Sequence, residues 1–555
     1  MNKGFYRIVP VLPPVLFLAL FFFYPLGDIL LLGFRPHGEW DWSWVHKLVG
    51  SRVYAGILWF TVWQAALSTL LTLAVALPGA WLMARFRFRG KGLLRSLSSV
   101  PFVLPTVVVA AAFQALLGGS GVVNTALMSL FGAKRPVLAL DQSLSLILLA
   151  HVFYNYSVVL RIVGGFWSSL DPRLTEAARM LGASRWTAFR QVTLPLLAPA
   201  VQAACLLVFV FCFSSFGVVL ILGGPRFSTI EVEIYRQAVH LFNLPMAAGL
   251  SLVQIVFTFV LMRVYAGLQR RRPVYAASGP GSSALHPVRG LGPRVLLGGN
   301  LIGMGLLLAA PLIALLLRSV QGESGVTLVF YRALFENVSG SVFFVPPGQA
   351  VFNSFLFAAA AMGLALILGF GAATFLSGPR RRSASVLDPL FMLPLSTSAV
   401  TLGFGFIIAF DTPPLNLRGS TALVPLAQTL VAFPFVVRAL LPALRSIPGS
   451  LREAAALLGA PPLKVWFHVD LPIVGRALVV GAVFAFSVSM GEFGATVFTA
   501  RPQTPTMPLA IYRLLGQPGA MHYGQAMAMS SLLMLVTAGG FLFLEKIRPG
   551  GPEEL

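Results

Sequence analysis

Long apolar runs separated by short polar segments fill the whole chain. A helix that crosses a bilayer needs about 20 mostly apolar residues, and each of these runs is long enough. The pattern therefore predicts an all-α integral membrane protein with about 12 transmembrane helices. The predicted spans lie near residues 9–33, 55–84, 97–118, 144–167, 197–222, 245–268, 295–317, 349–377, 387–410, 421–442, 476–500 and 524–544.

The first apolar run follows two basic residues, Lys3 and Arg7, as the core of a signal peptide would. It is longer than a signal-peptide core, and no small-residue cleavage site follows it. We therefore expect an uncleaved membrane anchor.

Composition supports the membrane assignment. Apolar residues make up 57% of the chain and charged residues 10%, with a mean hydropathy of +0.84, whereas soluble domains carry about 25% charged residues. A soluble enzyme, a secreted disulfide scaffold and a disordered chain are therefore excluded. The two cysteines, Cys205 and Cys212, share one helical face of an apolar run. They are interpreted as packing residues rather than as a disulfide or metal pair.

The net charge of +22 would suggest nucleic-acid binding in a soluble protein. In a membrane protein it is better explained by cytoplasmic loops that are rich in Lys and Arg. An even number of spans places both termini on one side. If that side is cytoplasmic, 25 of the 40 basic residues lie in inside segments and 12 in outside segments. Both termini are therefore predicted to be cytoplasmic.

The sequence contains an internal repeat. A shift of 277 residues superposes Glu176-Ala177-Ala178 on Glu453-Ala454-Ala455 and Phe216-Gly217 on Phe493-Gly494, with further matches over the same stretch. Each half then carries six spans, and an even number relates the halves by an axis along the membrane normal. We predict two parallel six-helix repeats, joined by a basic linker rich in Gly, Ser and Pro. The expected boundaries are 1–268, 269–294 and 295–555.

The loop between the fourth and fifth spans carries the strongest local signal. Asp171 can cap a helix that begins at Pro172, and Gly182 can end it in the left-handed conformation. The small apolar face of this helix, made by Leu174, Ala177, Ala178 and Leu181, would be exposed on so short an element, as on a docking helix. An amphipathic helix on the membrane surface would show the same spacing.

The second half repeats this loop with different residues. Ser450 and Glu453 form a capping-box pattern, and Gly459 is the expected stop. Its matching apolar stripe is Leu451, Ala454, Ala455 and Leu458.

Both loops resemble the signature of binding-protein-dependent ABC importer permeases of type I, with a methionine-permease-like fold. That signature is Glu-Ala-Ala, a glycine four residues later, and a closing Leu-Pro. Here it occurs twice, as Glu176, Ala177, Ala178, Gly182, Leu194 and Pro195, and as Glu453, Ala454, Ala455, Gly459, Leu471 and Pro472.

The resemblance implies that each loop is a coupling helix seated in a groove of a separate ATP-hydrolysing subunit. It further implies two copies of that subunit, an extracytoplasmic substrate-binding protein that delivers a small molecule, and a place in the bacterial inner membrane. Pro461-Pro462 and Asp470 are mild departures in the second copy. The chain contains no Gly-x-x-x-x-Gly-Lys-Ser/Thr loop. We expect no enzyme activity, no cofactor and no metal site in the chain itself.

A few polar residues within the spans are candidates for the transport pathway. Intramembrane carboxylates are functional candidates by default, and Asp28 and Glu492 are the clearest. Glu492 would attract a cation, or serve as a satisfied helix-end carboxylate. Ser214, Ser215, Tyr154 and Asn155 are further candidates, although packing is the expected role of the aromatic residue.

The segments Phe213–Gly224 and Ser228–Tyr235 resemble the fused thiamine and ferric-iron permeases. Thiamine is the leading substrate expectation and ferric iron the alternative, with sulfate and molybdate behind them. A proton- or sodium-coupled secondary transporter would also show six plus six spans. It would have no reason to repeat a docking loop, and it would carry charged pairs near the middle of the membrane.

Overall fold

The computed structural model describes residues 9–36, 38–270, 286–288, 290–322, 325–336, 345–378, 381–411, 413 and 415–547. Most of the predicted linker 269–294 lies outside this part of the chain. The described residues are helical nearly throughout. Two pairs of two-residue strands complete them, Phe86–Arg87 parallel to His286–Pro287 and Gln321–Gly322 antiparallel to Gly325–Val326.

Within the described residues, 11 helices are long and apolar enough to cross a membrane, and a further pair bent by 94° makes up to 12. The all-α membrane fold predicted from the sequence is confirmed. In chain order, spans 1 to 12 are Leu12–Phe34, Arg52–Arg85, Thr106–Phe131, Leu144–Ser168, Arg185–Phe213, Leu244–Leu268, Arg294–Val320, Pro347–Ser377, the bent pair Val386–Ser396 and Ala399–Ala409, Leu423–Arg445, Trp466–Gly491 and Ala520–Leu544.

Short helices connect these spans. They include Ser43–Gly50 and Val329–Arg332 before spans 2 and 8, and Pro172–Met180 and Gly449–Leu457 in the two signature loops. The others are Lys91–Leu97, Val100–Val103, Gly217–Leu222, Ile230–Tyr235, Pro462–Val465, Thr496–Thr499 and Met507–Leu515.

Four predicted spans differ from the structure because their helices break inside the apolar run. The predicted span 387–410 is broken at residues 397–398 into two helices at 94° to each other. The run predicted to continue to residue 222 ends its helix at Phe213, and the run predicted to continue to residue 500 ends at Gly491. Span 3 begins at Thr106 rather than near 97, because Pro105 follows a residue in extended conformation. A residue before proline is biased away from helix.

The two halves are interlocked through their first helices. Span 1 packs along spans 8 and 9 of the other half, where the Phe21 ring centroid lies 5.5 Å from that of Phe410. Span 7 in turn packs against span 3 of the first half as well as against span 12. Core residues of each half are therefore shared with the other, and the halves bury one another's apolar faces.

An aromatic ring before the second span of each half rests on a glycine of that half's sixth span. Trp44 covers Gly249, and Phe330 covers Gly524. A Cβ at either glycine would overlap the ring, so only glycine lets the short helix that carries the ring pack this closely. The contact fixes the first turns of the sixth span in both halves.

We expect Gly249→Leu and Gly524→Leu each to lower the free energy of unfolding by about 1–3 kcal/mol, because overpacking forces the ring off its site. Gly267→Leu is the matched control, since it lies on the same helix as Gly249 with nothing within 4 Å of its Cβ position. Thermal unfolding of the detergent-solubilised protein measures the effect. Equal losses in all three variants would contradict this packing argument.

Candidate functional site

The first signature loop folds as its sequence predicts. The helix begins at Pro172, the Asp171 carboxylate accepts a hydrogen bond of 2.9 Å from the Arg173 N–H, and the chain reverses at Gly182 with φ of +91°. Such a φ favours glycine, because a Cβ is strained in the left-handed region. The cap and the stop together fix a helix of nine residues.

The second loop has the same length but a different start. Its helix, Gly449–Leu457, begins one residue after Pro448, and Gly459 ends it with φ of +79°. The predicted capping box was wrong: Ser450 lies inside the first turn, and no side chain caps this helix. The helix start follows the repeat, which puts Pro448 where the first half has Asp171.

Both loop helices present apolar side chains to solvent. Leu181 is 90% exposed and Leu458 is 89% exposed, and Met180 and Leu457 are each 89% exposed. Leu174 and Leu451 are also exposed, and neither helix buries a residue. A soluble surface rarely displays two such patches without a partner. The two loop helices therefore present two equivalent apolar surfaces.

The remaining signature residues lie around these helices. Glu176 and Ala177 are exposed, as are Glu453 and Ala454, whereas Ala178 and Ala455 are half-buried. Arg85, at the end of span 2, is close enough to Glu176 to attract its carboxylate. Leu194 and Leu471 each open a regular helix with proline, Pro195 or Pro472, in its first turn.

One loop carries an ion pair that has no counterpart in the other. Arg452 Nε contacts Asp470 Oδ1 at 2.8 Å, which ties the second loop helix to the first turn of span 11. The corresponding positions in the first half are Thr175 and Thr193. The departure at Asp470 therefore adds an ion pair that is found in the second half and not in the first.

Ser215 belongs to a polar chain that crosses three helices of the first half. Its hydroxyl lies 2.8 Å from His151 Nε2, and His151 Nδ1 lies 2.9 Å from the Ser68 hydroxyl. Asn155 donates to the His151 carbonyl at 2.9 Å and to Cys212 Sγ at 3.4 Å. Ser215 and Asn155 therefore hold the break after span 5 in place.

Glu492 occupies the equivalent break after span 11. Its carboxylate accepts hydrogen bonds from the Ala495 N–H at 2.7 Å and the Thr496 N–H at 2.9 Å, and it also contacts the Thr496 hydroxyl. The side chain is buried. These contacts are those of a helix-capping carboxylate, one of the two roles that the sequence left open.

The other predicted pathway residues make local contacts. The Tyr154 hydroxyl donates to the Leu104 carbonyl at 2.9 Å, so this backbone oxygen at the break before span 3 has a hydrogen-bond partner. Ser214 donates to the Val210 carbonyl of its own helix at 2.7 Å. Asp28 pairs with Tyr24 one turn earlier in span 1.

The helices that follow the two breaks are anchored alike. The Ile230 N–H donates to the Thr61 hydroxyl at 3.0 Å, and the Met507 N–H donates to the Ser354 hydroxyl at 2.7 Å. Ile230 and Met507 are separated by the repeat shift of 277 residues, and the hydroxyls come from the second span of each half. The same backbone donor is thus satisfied by the same kind of group twice.

Four aromatic rings meet where the halves touch. Phe216 stacks on Phe493 with centroids 5.4 Å apart and planes at 25°. Tyr235 lies 5.6 Å from Phe216, Tyr512 lies 5.5 Å from Phe493, and the two phenol groups are close enough to interact. Each ring contacts its own counterpart at the repeat shift, so this aromatic quartet lies on the axis that relates the halves.

Two buried carboxylates near this axis were missed in the sequence analysis. Glu231 is 2% exposed and accepts a hydrogen bond of 3.1 Å from Gln254, while Ser398 of the other half is a second partner. Glu233 is fully buried and pairs with Arg236 at 2.7 Å. The signal was the pair of acidic residues within an otherwise apolar segment, because such residues are rare at membrane depth.

A cavity of about 640 Å³ opens among the loops after spans 9 and 11. Asp411, Arg418 and Arg501 line it, and Phe498 lies within its wall. Phe498 also packs edge-to-face on Tyr235 with centroids 5.7 Å apart. The cavity is therefore one side chain away from the aromatic quartet. Among the described residues, no group of three or more His, Cys, Asp or Glu could hold a metal ion.

Comparison with known proteins gives consistent matches. Residues 76–273 match the family described as "Binding-protein-dependent transport system inner membrane component". A probable ABC transporter permease protein of Sinorhizobium fredii is 28% identical, over 84% of this chain and 83% of the relative. The thiamine transport system permease protein ThiP of Salmonella typhimurium is 27% identical, over 93% and 92%. The ferric transport system permease protein FbpB of Actinobacillus pleuropneumoniae is 26% identical, over 99% and 79%.

We expect Glu492→Ala to lower the free energy of unfolding by about 1–3 kcal/mol for each buried N–H that it leaves without a partner. Glu492→Gln keeps one acceptor oxygen and is the matched control, so its loss should be smaller. Thermal unfolding in detergent compares the two variants. Equal stability of both with the parent protein would contradict the capping role.

Proposed function

The chain belongs to the family of binding-protein-dependent ABC importer permeases, and on that premise we propose that it is a fused, two-repeat permease subunit for thiamine. In this proposal an extracytoplasmic binding protein delivers the vitamin, and the two halves of the chain pass it across the inner membrane. The ATP that drives the cycle is hydrolysed by a separate subunit.

The pair of exposed docking helices carries this proposal. Each is a short helix with a sharp glycine stop, and each leaves leucines bare on the same side of the bundle. A two-fold assembly of ATPase subunits requires two equivalent surfaces, and this chain supplies both. We therefore propose two ATPase copies, one on Pro172–Met180 and one on Gly449–Leu457.

The same assignment fixes the orientation that we propose for the chain. Docking surfaces for a cytoplasmic ATPase must face the cytoplasm, and the excess of Lys and Arg in the segments on that side agrees with this. Both termini are then cytoplasmic. The cavity near Arg418 and Arg501 faces the binding protein on the opposite side.

Thiamine is the substrate that the polar groups near the axis favour. It is an organic cation with two planar rings, and rings of this kind stack on aromatic side chains while a carboxylate balances the charge. The aromatic quartet and Glu231 supply both groups. The similarity to ThiP over 93% of this chain also supports the vitamin.

Ferric iron is the second candidate. The similarity to FbpB spans 99% of this chain at nearly the same identity as that to ThiP. Carboxylate oxygens near the axis would also suit a hard cation. Sulfate and molybdate remain further alternatives within the same class of importer.

An ion-coupled secondary transporter is the rival of a different class. Such a transporter would use intramembrane charges to bind the coupling ion. In this chain the Glu492 carboxylate caps a helix and is already occupied by backbone N–H groups. Two docking helices would serve no purpose in that mechanism.

We predict that Leu181→Glu combined with Leu458→Glu lowers ATPase-subunit co-purification and ATP-driven uptake at least about tenfold, because a charge replaces an apolar contact at the centre of each docking surface. Neither side chain packs within the chain, so folding should not change. Val326→Glu is the matched control, since Val326 is 89% exposed at the opposite end of the bundle. Full retention of the ATPase subunit by the double variant would contradict the docking assignment.

We predict that proteoliposomes holding the permease, its ATPase and its binding protein accumulate labelled thiamine when ATP is supplied. Ferric citrate and molybdate should not accumulate. Omitting the ATPase subunit is the control for energy coupling. Accumulation of ferric iron without thiamine would replace the leading substrate with the second candidate.

A further inference from the structure

We propose that the aromatic quartet and Glu231 together form a binding site for a planar organic cation, at the point where the two halves meet. The quartet consists of Phe216, Tyr235, Phe493 and Tyr512. This inference rests on the proposed function and assigns to it the residues that select the solute inside the membrane.

The first argument is position. Phe216 and Phe493 follow the breaks at the ends of spans 5 and 11, where the backbone leaves the helix and turns toward the axis. Around them the halves are in direct contact. A Cβ at Gly491 would lie 2.9 Å from Pro105, and one at Gly217 would lie 3.1 Å from Phe493. The rings therefore close the space between the halves at this level.

The second argument is access. Phe498 lies in the wall of the cavity and also packs perpendicular to the Tyr235 ring, with centroids 5.7 Å apart. A solute that enters the cavity therefore meets the quartet next. When the halves separate, the stacked Phe216 and Phe493 faces become free, and a flat ring can take the place that each ring occupies for the other.

The third argument is charge. Glu231 precedes Tyr235 by four residues on the helix Ile230–Tyr235, so both side chains lie on one face. Its hydrogen-bond partners, Gln254 and Ser398, are neutral. Glu233 is paired with Arg236 and the Glu492 carboxylate is capping a helix, whereas no ion pair is formed by Glu231 among the described residues.

The fourth argument is asymmetry. The quartet is symmetric, because each ring has an aromatic counterpart at the repeat shift, but the counterpart of Glu231 is Pro508. The site thus has matching aromatic walls and a carboxylate on one side alone. Such a site suits a solute with its positive charge at one place, because a desolvated cation gains from both the ring faces and the carboxylate.

The test uses the full transporter in proteoliposomes with thiamine and with its uncharged analogue, in which carbon replaces the positively charged ring nitrogen. Both solutes are delivered by the same binding protein, so a difference between permease variants belongs to the permease. Glu231→Gln should lower thiamine uptake about tenfold, as loss of a close charge pair does. Uptake of the neutral analogue should change less than about twofold.

Asp388→Asn is the matched control for the charge, because it removes a membrane-level carboxylate that faces Arg438 rather than the quartet. It should leave the ratio of the two uptakes unchanged. Glu231→Met carries the same test without a new polar group, should the Gln variant fail to assemble. Binding-protein-stimulated ATPase activity reports whether each variant is intact.

The rings are tested separately. Tyr235→Phe with Tyr512→Phe keeps all four rings and should retain most thiamine uptake, whereas Tyr235→Leu with Tyr512→Leu should lose most of it. Phe257→Leu removes a stacked ring that lies outside the quartet, 4.3 Å from Phe213, and should transport as the parent protein does.

Equal loss of both solutes in Glu231→Gln, or no loss, would overturn the site, as would full uptake by the double Leu variant. These results presuppose that the parent protein takes up thiamine. If the parent protein takes up no thiamine, the proposed function fails and the site falls with it.

Discussion

The structure depends on the satisfaction of backbone hydrogen bonds at membrane depth. A helix that breaks inside a bilayer frees N–H and C=O groups that have no water to bind, and each unsatisfied group costs several kcal/mol. This protein breaks its spans at equivalent places in both halves and supplies a side chain at each. Thr61, Ser354, Tyr154 and Glu492 all bind backbone groups that the breaks have freed. The helix breaks near the axis are stable because these polar side chains, placed within apolar runs, bind the backbone groups there.

The two halves share a frame but differ in the chemistry that holds it. Ser215, bound to His151, occupies the break of the first half, and Glu492 occupies that of the second. Side-chain hydrogen bonds thus hold the first break, whereas a capping carboxylate binds backbone N–H groups at the second. The exchange of first helices then makes the halves one body, because each buries core residues of the other. The two halves therefore keep the position of the break and differ in the side chain that stands there.

The sequence predicted the number of spans and the loop helix at Pro172 because these follow from local periodicity and capping. It did not predict the breaks at Phe213 and Gly491, since the apolar run continues through both and His151, which contacts the first break, is distant in the chain. It also missed the quartet. Nothing in Phe216 or Tyr235 distinguishes a ring on the axis from a ring in the core. The repeat shift names the counterpart of each residue, and a residue that contacts its own counterpart, as Phe216 contacts Phe493, must lie on the axis.

The proposed docking assignment makes spans 5 and 11 the connection between the signature loops and the axis. Span 5 contains a π-helical turn at Phe189–Thr193, and span 11 begins with one at Trp466–Asp470. Each then runs without interruption to the break beside the quartet. Span 5 has 29 residues and is therefore about 43 Å long at the rise of an α-helix. A π-helical turn is a common place for a helix to bend, and Pro199 lies inside span 5 beyond that turn. If the loop helices dock the ATPase as proposed, their motion reaches the far end of spans 5 and 11, where Phe216 and Phe493 meet.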